Sequence, residues 1–87
     1  MHEHSLVAGL IGKIEAIALE NGGKKVTGVR VRLGALSQMS GTHFRGHFVD
    51  AARGTAAEGA KLTIEETTDI LVPDAQHVLL ESVELEQ

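Results

Sequence analysis

Apolar residues recur at steps of three and four over the first twenty positions, which is the spacing of one face of an α-helix. Ser5 stands where the N-terminal cap of such a helix belongs, and Asn21-Gly22-Gly23 supplies the left-handed stop expected at its end. The sequence therefore predicts an amphipathic helix whose buried stripe comprises Leu6, Val7, Leu10, Ile11, Ile14, Ile17 and Ala18.

The pattern then changes from helical to alternating. Val29, Val31 and Leu33 alternate with Arg30 and Arg32, which is typical of a strand that is buried on one face only. We expect a first strand at this point.

A second helix is predicted at about residues 42–53, with Ser37 and Ser40 as candidate caps and Gly54 closing it. Gly46 weakens such a helix by about 1 kcal/mol relative to alanine, so we expect a close neighbour at that turn. The apolar edge of this helix consists of Phe44, Phe48, Ala51 and Ala52.

Two more strands are predicted, at residues 61–67 and 77–86, separated by a short apolar run at 70–72 and a Pro73-Asp74 turn. In the last strand the expected inward face, interrupted by Glu81, consists of Leu79, Val83 and Leu85. The order helix-strand-helix-strand-strand predicts a two-layer α+β fold, with two helices on one face of a small three-stranded sheet.

Composition narrows the function classes. The chain has 87 residues, which is the size of one small domain, and we expect residues 1–87 to form a single unit. Its net charge of −4 and its two aromatic residues argue against nucleic acid as a partner.

No apolar run is long enough to span a membrane, and the chain start is not that of a signal peptide, so a cytoplasmic protein is expected. The absence of cysteine excludes a cysteine-ligated zinc or iron–sulfur site.

The chain start carries the most informative chemistry. The amine of Met1, the backbone nitrogen of His2 and the His2 imidazole can close two fused chelate rings around one metal ion. The fourth donor could be the Glu3 amide, the Glu3 carboxylate or another histidine such as His4. Nitrogen and oxygen donors in a square plane suit Ni(II) or Cu(II). The alternative is a terminus without function, since histidines near a chain start are not rare.

A second candidate metal site is the pair His43 and His47, which lie four residues apart and share one face of the predicted second helix. Because no third ligand is evident nearby, a plain polar helix face is the favoured interpretation of this pair. His77 is isolated and is expected at a turn or a strand edge. No serine has the context of a catalytic nucleophile, and the adjacent Glu65 and Glu66 point to opposite faces of a strand. An enzyme is therefore not expected.

Four segments stand out when they are taken in order along the chain. They are Met1-His2-Glu3 with Ser5-Leu6, then Arg32-Leu33-Gly34-Ala35-Leu36-Ser37, then Gly54-Thr55-Ala56-Ala57-Glu58-Gly59-Ala60-Lys61-Leu62 with Ile64-Glu65, and finally Ser82-Val83-Glu84-Leu85-Glu86. This ordered set covers nearly the whole chain and resembles the hydrogenase/urease nickel-incorporation proteins of the HypA/HybF type.

The resemblance implies a nickel metallochaperone rather than an enzyme. It implies Ni(II) bound by Met1, His2 and Glu3, with His2 as the main side-chain ligand. It also implies work with a nickel-handling GTPase and delivery to the precursor of the [NiFe]-hydrogenase large subunit, or to urease maturation. His4, His43 and His47 are weaker candidates for completing the coordination.

One departure from the family is large. The family carries a zinc domain with two Cys-X-X-Cys pairs between the middle and last strands, where this chain has only residues 67–76 and no cysteine. We therefore expect no zinc. The alternative function is a metal-independent interaction or regulatory paralogue that keeps the fold and partner binding but not nickel delivery. A homodimer formed through an exposed sheet edge, or through the 70–72 segment, is a further expectation.

Overall fold

The computed structural model describes residues 3–37, 39–71, 75 and 77–87, with the backbone alone for residues 3 and 4. Within these residues the chain forms helix α1 (Glu3–Glu20), strand β1 (Val26–Leu33), helix α2 (Gly41–Ala52), strand β2 (Lys61–Glu66) and strand β3 (Val78–Leu85). The predicted α+β fold and the predicted order of its elements are confirmed.

The sheet has the strand order β2-β1-β3, so β1 lies in the centre. β2 runs parallel to β1, and β3 runs antiparallel to it. Because α2 connects the end of β1 to the start of the parallel β2, it must run back along the sheet. α1 leads through a five-residue connection to the start of β1 and packs against α2 and β3. α2 begins near the end of the sheet where β1 and β2 finish.

One hydrophobic core lies between the helices and the sheet. The rings of Phe44 and Phe48 contact each other, with 6.1 Å between centroids. Burying a large apolar side chain contributes about 1.5–3 kcal/mol, so the hydrophobic core as a whole is the main stabilising element of the domain. The largest fully buried side chains of this core are those of Phe44, Phe48, Ile14, Leu33, Val7, Val26 and Val31.

Two details of the predicted helices are wrong. Ser5 lies inside α1, because the helix begins two residues earlier, at Glu3, and Ser5 is therefore not its cap. Gly46 has no close neighbour, since a Cβ built at this position would meet nothing within 4 Å. Ser40 is the N-cap of α2, as predicted.

A β-bulge changes the inward face predicted for β3. Arg30 pairs with Ser82 and Val31 pairs with Leu80, which leaves Glu81 as an extra residue in the pairing. The extra residue reverses the alternation of inward and outward side chains before it. The prediction that Leu79 shares the inward face with Val83 is therefore wrong. The residues of β3 packed against the core are Val78, Leu80, Val83 and Leu85.

The outer face of the sheet is polar and carries an ion-pair network. The Arg32 guanidinium lies 2.8 Å from a Glu81 carboxylate oxygen and 3.6 Å from a Glu65 oxygen, and Arg30 lies 3.8 Å from Glu65. These side chains belong to all three strands. Because they are partly exposed, each pair contributes little on its own, and the network mainly covers the open face with charge.

The connection between β1 and α2 is tied to the segment that precedes β3. The Gly34 amide donates to the His77 carbonyl over 2.9 Å, and the Leu36 amide donates to the Ala75 carbonyl. His77 lies just before β3, as expected. Ile70 and Leu71 are exposed, at 58% and 89%, while Val72, Pro73 and Asp74 lie outside the described residues. Neither helix of the described chain is long and apolar enough to cross a membrane.

Candidate functional site

The predicted nickel segment joins directly onto α1. Met1 and His2 lie outside the described residues, and Glu3 is the first residue of the helix. The first four backbone N–H groups of an α-helix have no intrahelical acceptor. The Glu3 N–H group therefore donates no hydrogen bond within the helix.

The start of α2 is capped by two side chains, Ser40 and Glu66. The His43 amide donates to the Ser40 hydroxyl, with 3.1 Å between the two atoms. The Gly41 amide donates to a carboxylate oxygen of Glu66, the last residue of β2, over 3.2 Å. A carboxylate at a helix N-terminus is favourable because it faces the positive end of the helix dipole. Glu66 could not be recognised from the sequence, since its partner lies 25 positions away along the chain.

A small cavity opens beside this capped end. It has a volume of about 270 Å³ and lies where β1 and β2 end. The Ser37 hydroxyl is buried and has no hydrogen-bond partner among the described residues. The cavity is lined by Leu33, Gly34, Ala35, Ser37, Met39, Glu66 and Thr67. Because the Gly41, His43 and Phe44 amides of α2 are all satisfied by Glu66 or Ser40, this helix end offers little to an anion.

The second candidate metal pair lies on α2. His43 is exposed and His47 is half-buried, four residues apart on one helix. The His47 side chain is already engaged in a polar, electrostatic or ring interaction within the structure. Within the part of the chain that the structure describes, no group of three His, Cys, Asp or Glu side chains is placed to hold a metal ion. His4 belongs to α1, and its side chain is not described.

The chain was compared with known proteins. The model of the family described as hydrogenase/urease nickel incorporation, metallochaperone, HypA matches residues 1–72. The hydrogenase maturation factor HypA of Chlorobaculum tepidum is 41% identical over 66 residues, and that of Archaeoglobus fulgidus is 42% identical over 71 residues. These alignments cover 76% and 80% of this chain, but 58% and 64% of the relatives.

Solved structures agree with the fold. The solution structure of the Ni metallochaperone HypA from Helicobacter pylori superposes with a TM-score of 0.82 at 21% identity, covering 98% of this chain and 97% of that one. A second solution structure of a HypA protein gives a TM-score of 0.78, also at 21% identity, and covers 99% of this chain and 97% of that one.

The chain belongs to the HypA family of hydrogenase/urease nickel incorporation metallochaperones. The resemblance inferred from the sequence is thereby confirmed. The family is described by metal handling and maturation and not by a catalysed reaction. The chain spans less than two thirds of the length of the curated relatives compared above.

Proposed function

We propose that this chain is a nickel metallochaperone for the maturation of [NiFe]-hydrogenase or urease, that it is not an enzyme, and that it binds its Ni(II) cargo at Met1, His2 and Glu3. The observation that carries the proposal is the family match, which begins at residue 1 and includes this segment. The position of Glu3 as the first residue of α1 supports it further.

The chemistry of the segment fits a square-planar ion. Met1 supplies its amine, and His2 supplies its amide and its imidazole. The fourth donor comes from Glu3, whose amide lies in the first turn of α1, where no helix hydrogen bond has to be broken to release its proton. A deprotonated amide or a carboxylate at this position also carries negative charge to the positive end of the helix dipole. His4, His43 and His47 are alternative fourth donors.

Nickel titration of variants tests the site. We expect the intact chain to bind one Ni(II) tightly, and His2→Ala to weaken that binding by at least tenfold, because one chelate ring is lost. Additional residues placed before Met1 should weaken it similarly, since they remove the free amine. His77→Ala is the matched control, because His77 is exposed and lies before β3, remote in sequence from the chain start. Equal affinity in His2→Ala and the intact chain would contradict the proposal.

The proposed partners follow from the family. We propose a nickel-handling GTPase as the protein with which the chain works, and the hydrogenase large-subunit precursor as the recipient. A cytoplasmic location, a homodimer and the absence of a zinc site belong to the same proposal. Co-purification of the GTPase, measured with and without Ni(II), tests the first partner, and light scattering during gel filtration tests the dimer.

A second candidate function is a metal-independent interaction module. The observation that favours it is the absence of cysteine from the sequence, since the family zinc module depends on Cys-X-X-Cys pairs. On this hypothesis the fold and GTPase binding are retained without nickel delivery. GTPase binding that is unchanged by His2→Ala and by Ni(II), together with no tight Ni(II) binding, would favour this function over the first.

A further inference from the structure

The sheet has two edge strands, and they carry different charges. β2 and β3 lie at the edges, and each has β1 as its neighbour among the described strands. An edge strand presents backbone N–H and C=O groups that can pair with another strand. Whether a second copy of the chain can use such an edge depends on the side chains that the edge carries.

β3 is unsuited to pairing with a second copy. It contains Glu81 and Glu84 and no lysine or arginine. Glu81 is also the extra residue of the bulge. Charged side chains and bulges are features that keep edge strands from pairing with further copies, so this edge is protected.

The backbone groups of alternate residues in β2 point to its outer edge. The Thr67 amide, directly after β2, donates to the Leu33 carbonyl of β1 over 3.0 Å. Because the backbone groups of successive residues in a strand point to opposite edges, those of Thr63 face β1 as those of Thr67 do. The N–H and C=O groups of Leu62 and Ile64 therefore point away from β1.

The sequence of β2 is complementary to itself in one antiparallel register. Directly opposed residues must lie on the same face of the sheet, and a two-fold axis through a single residue satisfies this condition. With Thr63 opposite its own copy, Lys61 lies opposite Glu65 of the second copy. In the same register Leu62 lies opposite Ile64 on the core side, and both kinds of pair occur twice. An axis through Leu62 or Ile64 would remove both charge pairs.

The helix layer beside β2 exposes apolar surface. α2 is the helix on this side, since it contacts β2 whereas α1 contacts β3. Val49 of α2 is 51% exposed and borders a cleft of about 280 Å³ that reaches Gly59 and Ala60, just before β2. A second copy paired along β2 would bring its own α2 next to this surface.

We propose that two copies of the chain pair through their β2 strands, antiparallel and with Thr63 at the two-fold axis, to form one six-stranded sheet. The backbone groups of Leu62 and Ile64 form the hydrogen bonds, and the two Lys61–Glu65 pairs fix the register. The inference rests on the homodimer of the proposed function, to which it gives an edge and a register. It is independent of the nickel site, since no residue of β2 is a proposed nickel ligand.

A single cysteine tests the register, because the chain contains none of its own. Thr63 and its copy form a non-hydrogen-bonded pair with about 4.5 Å between the Cα atoms, which is within the range that a disulfide spans. We expect Thr63→Cys to form a disulfide-linked dimer on treatment with diamide in the presence of EDTA. Ser82→Cys is the matched control and should not be cross-linked. Arg30 of β1 pairs with Thr63 on one side and with Ser82 of β3 on the other.

Exchanging charges tests the Lys61–Glu65 pairs. Lys61→Glu and Glu65→Lys each place like charges opposite each other, so either variant should dimerise about tenfold more weakly in analytical ultracentrifugation. Their mixture restores both pairs and should form heterodimers with the affinity of the intact chain. Because Glu65 also contacts Arg30 and Arg32, circular dichroism checks the fold. If Glu65→Lys does not fold, the Thr63→Cys cross-link decides.

The outcomes separate this inference from the nickel site. A monomer at all concentrations, with no cross-link in Thr63→Cys, would overturn the pairing through β2. Cross-linking of Ser82→Cys to an equal or greater extent would overturn it as well, because the copies would then meet through β3. Lys61→Glu should bind Ni(II) as the intact chain does, so loss of the dimer would leave the nickel site standing. Absence of Ni(II) binding together with an intact cross-link would reject the nickel site and support the pairing.

Discussion

Gly46 is the residue of α2 that we expect to lower the stability of the domain most clearly. Glycine within a helix costs about 1 kcal/mol relative to alanine, and nothing in the described structure packs against this position in return. The described part of the chain therefore gives no packing reason for a glycine at this position.

Gly46→Ala should therefore stabilise the domain by about 1 kcal/mol, because the added methyl group meets no neighbour and the helix gains intrinsic propensity. This corresponds to a rise in Tm of about 4–8 °C for a domain of this size. The matched control is Gly54→Ala, which should destabilise it, since Gly54 has a φ of 77° and alanine is strained there. Thermal unfolding followed by circular dichroism measures both, and a fall in Tm for Gly46→Ala would reveal a contact that we have not identified.

At the level of secondary structure, α2 depends on a carboxylate from a strand. No acidic residue lies in its first turn, and Glu66 from the end of β2 supplies the negative charge instead. This hydrogen bond joins the last residue of β2, Glu66, to the first residue of α2, Gly41. It therefore ties the end of the β1–α2–β2 unit back to the start of its helix.

Glu66→Gln should lower the free energy of unfolding by about 0.3–1 kcal/mol, because the amide keeps the shape of the carboxylate and loses its charge at the helix N-terminus. The loss should shrink in high salt, which screens the charge. Glu58→Gln is the control, since Glu58 is an exposed acid in the turn before β2. Urea unfolding at low and high salt measures the difference, and an equal loss at both salt concentrations would argue against an electrostatic role for Glu66.

The elements themselves could be predicted because each follows from local periodicity. The apolar stripe defined α1, and the alternation around Val29 and Val31 defined β1. The bulge at Glu81 could not be predicted, since an extra residue changes the inward face without changing the apolar content of the strand. The contact of Glu66 with Gly41 also escaped prediction, because parallel pairing of β1 and β2 brings together positions that are distant in sequence.

The candidate sites differ in how much the fold adds to them. Met1, His2 and Glu3 could be proposed from the sequence because consecutive residues can chelate an ion without any help from the fold, and their role stays a prediction. The pair His43 and His47 was also visible from its spacing. These two histidines come together on one face only when α2 is formed, so this candidate depends on the fold.

At the scale of the whole molecule, this difference predicts how metal affects stability. An ion stabilises a protein only when it binds the folded chain more tightly than the unfolded chain. Three consecutive residues at the chain start can chelate Ni(II) in both states, so binding there should change Tm little. His43 and His47, the alternative fourth donors, share one face only when α2 is formed, so a ligand from this pair would make the folded chain bind Ni(II) more tightly than the unfolded chain.

We therefore expect saturating Ni(II) to leave the Tm of the intact chain nearly unchanged, because Met1, His2 and Glu3 chelate the ion without help from the fold. Differential scanning calorimetry at several Ni(II) concentrations measures the shift for the intact chain, for His2→Ala and for His43→Ala. A rise in Tm that disappears in His2→Ala would mean that the folded body of the protein supplies a ligand to the site. Loss of the rise in His43→Ala would then identify His43 as that ligand, and its persistence would leave His4 and His47 as the next residues to substitute.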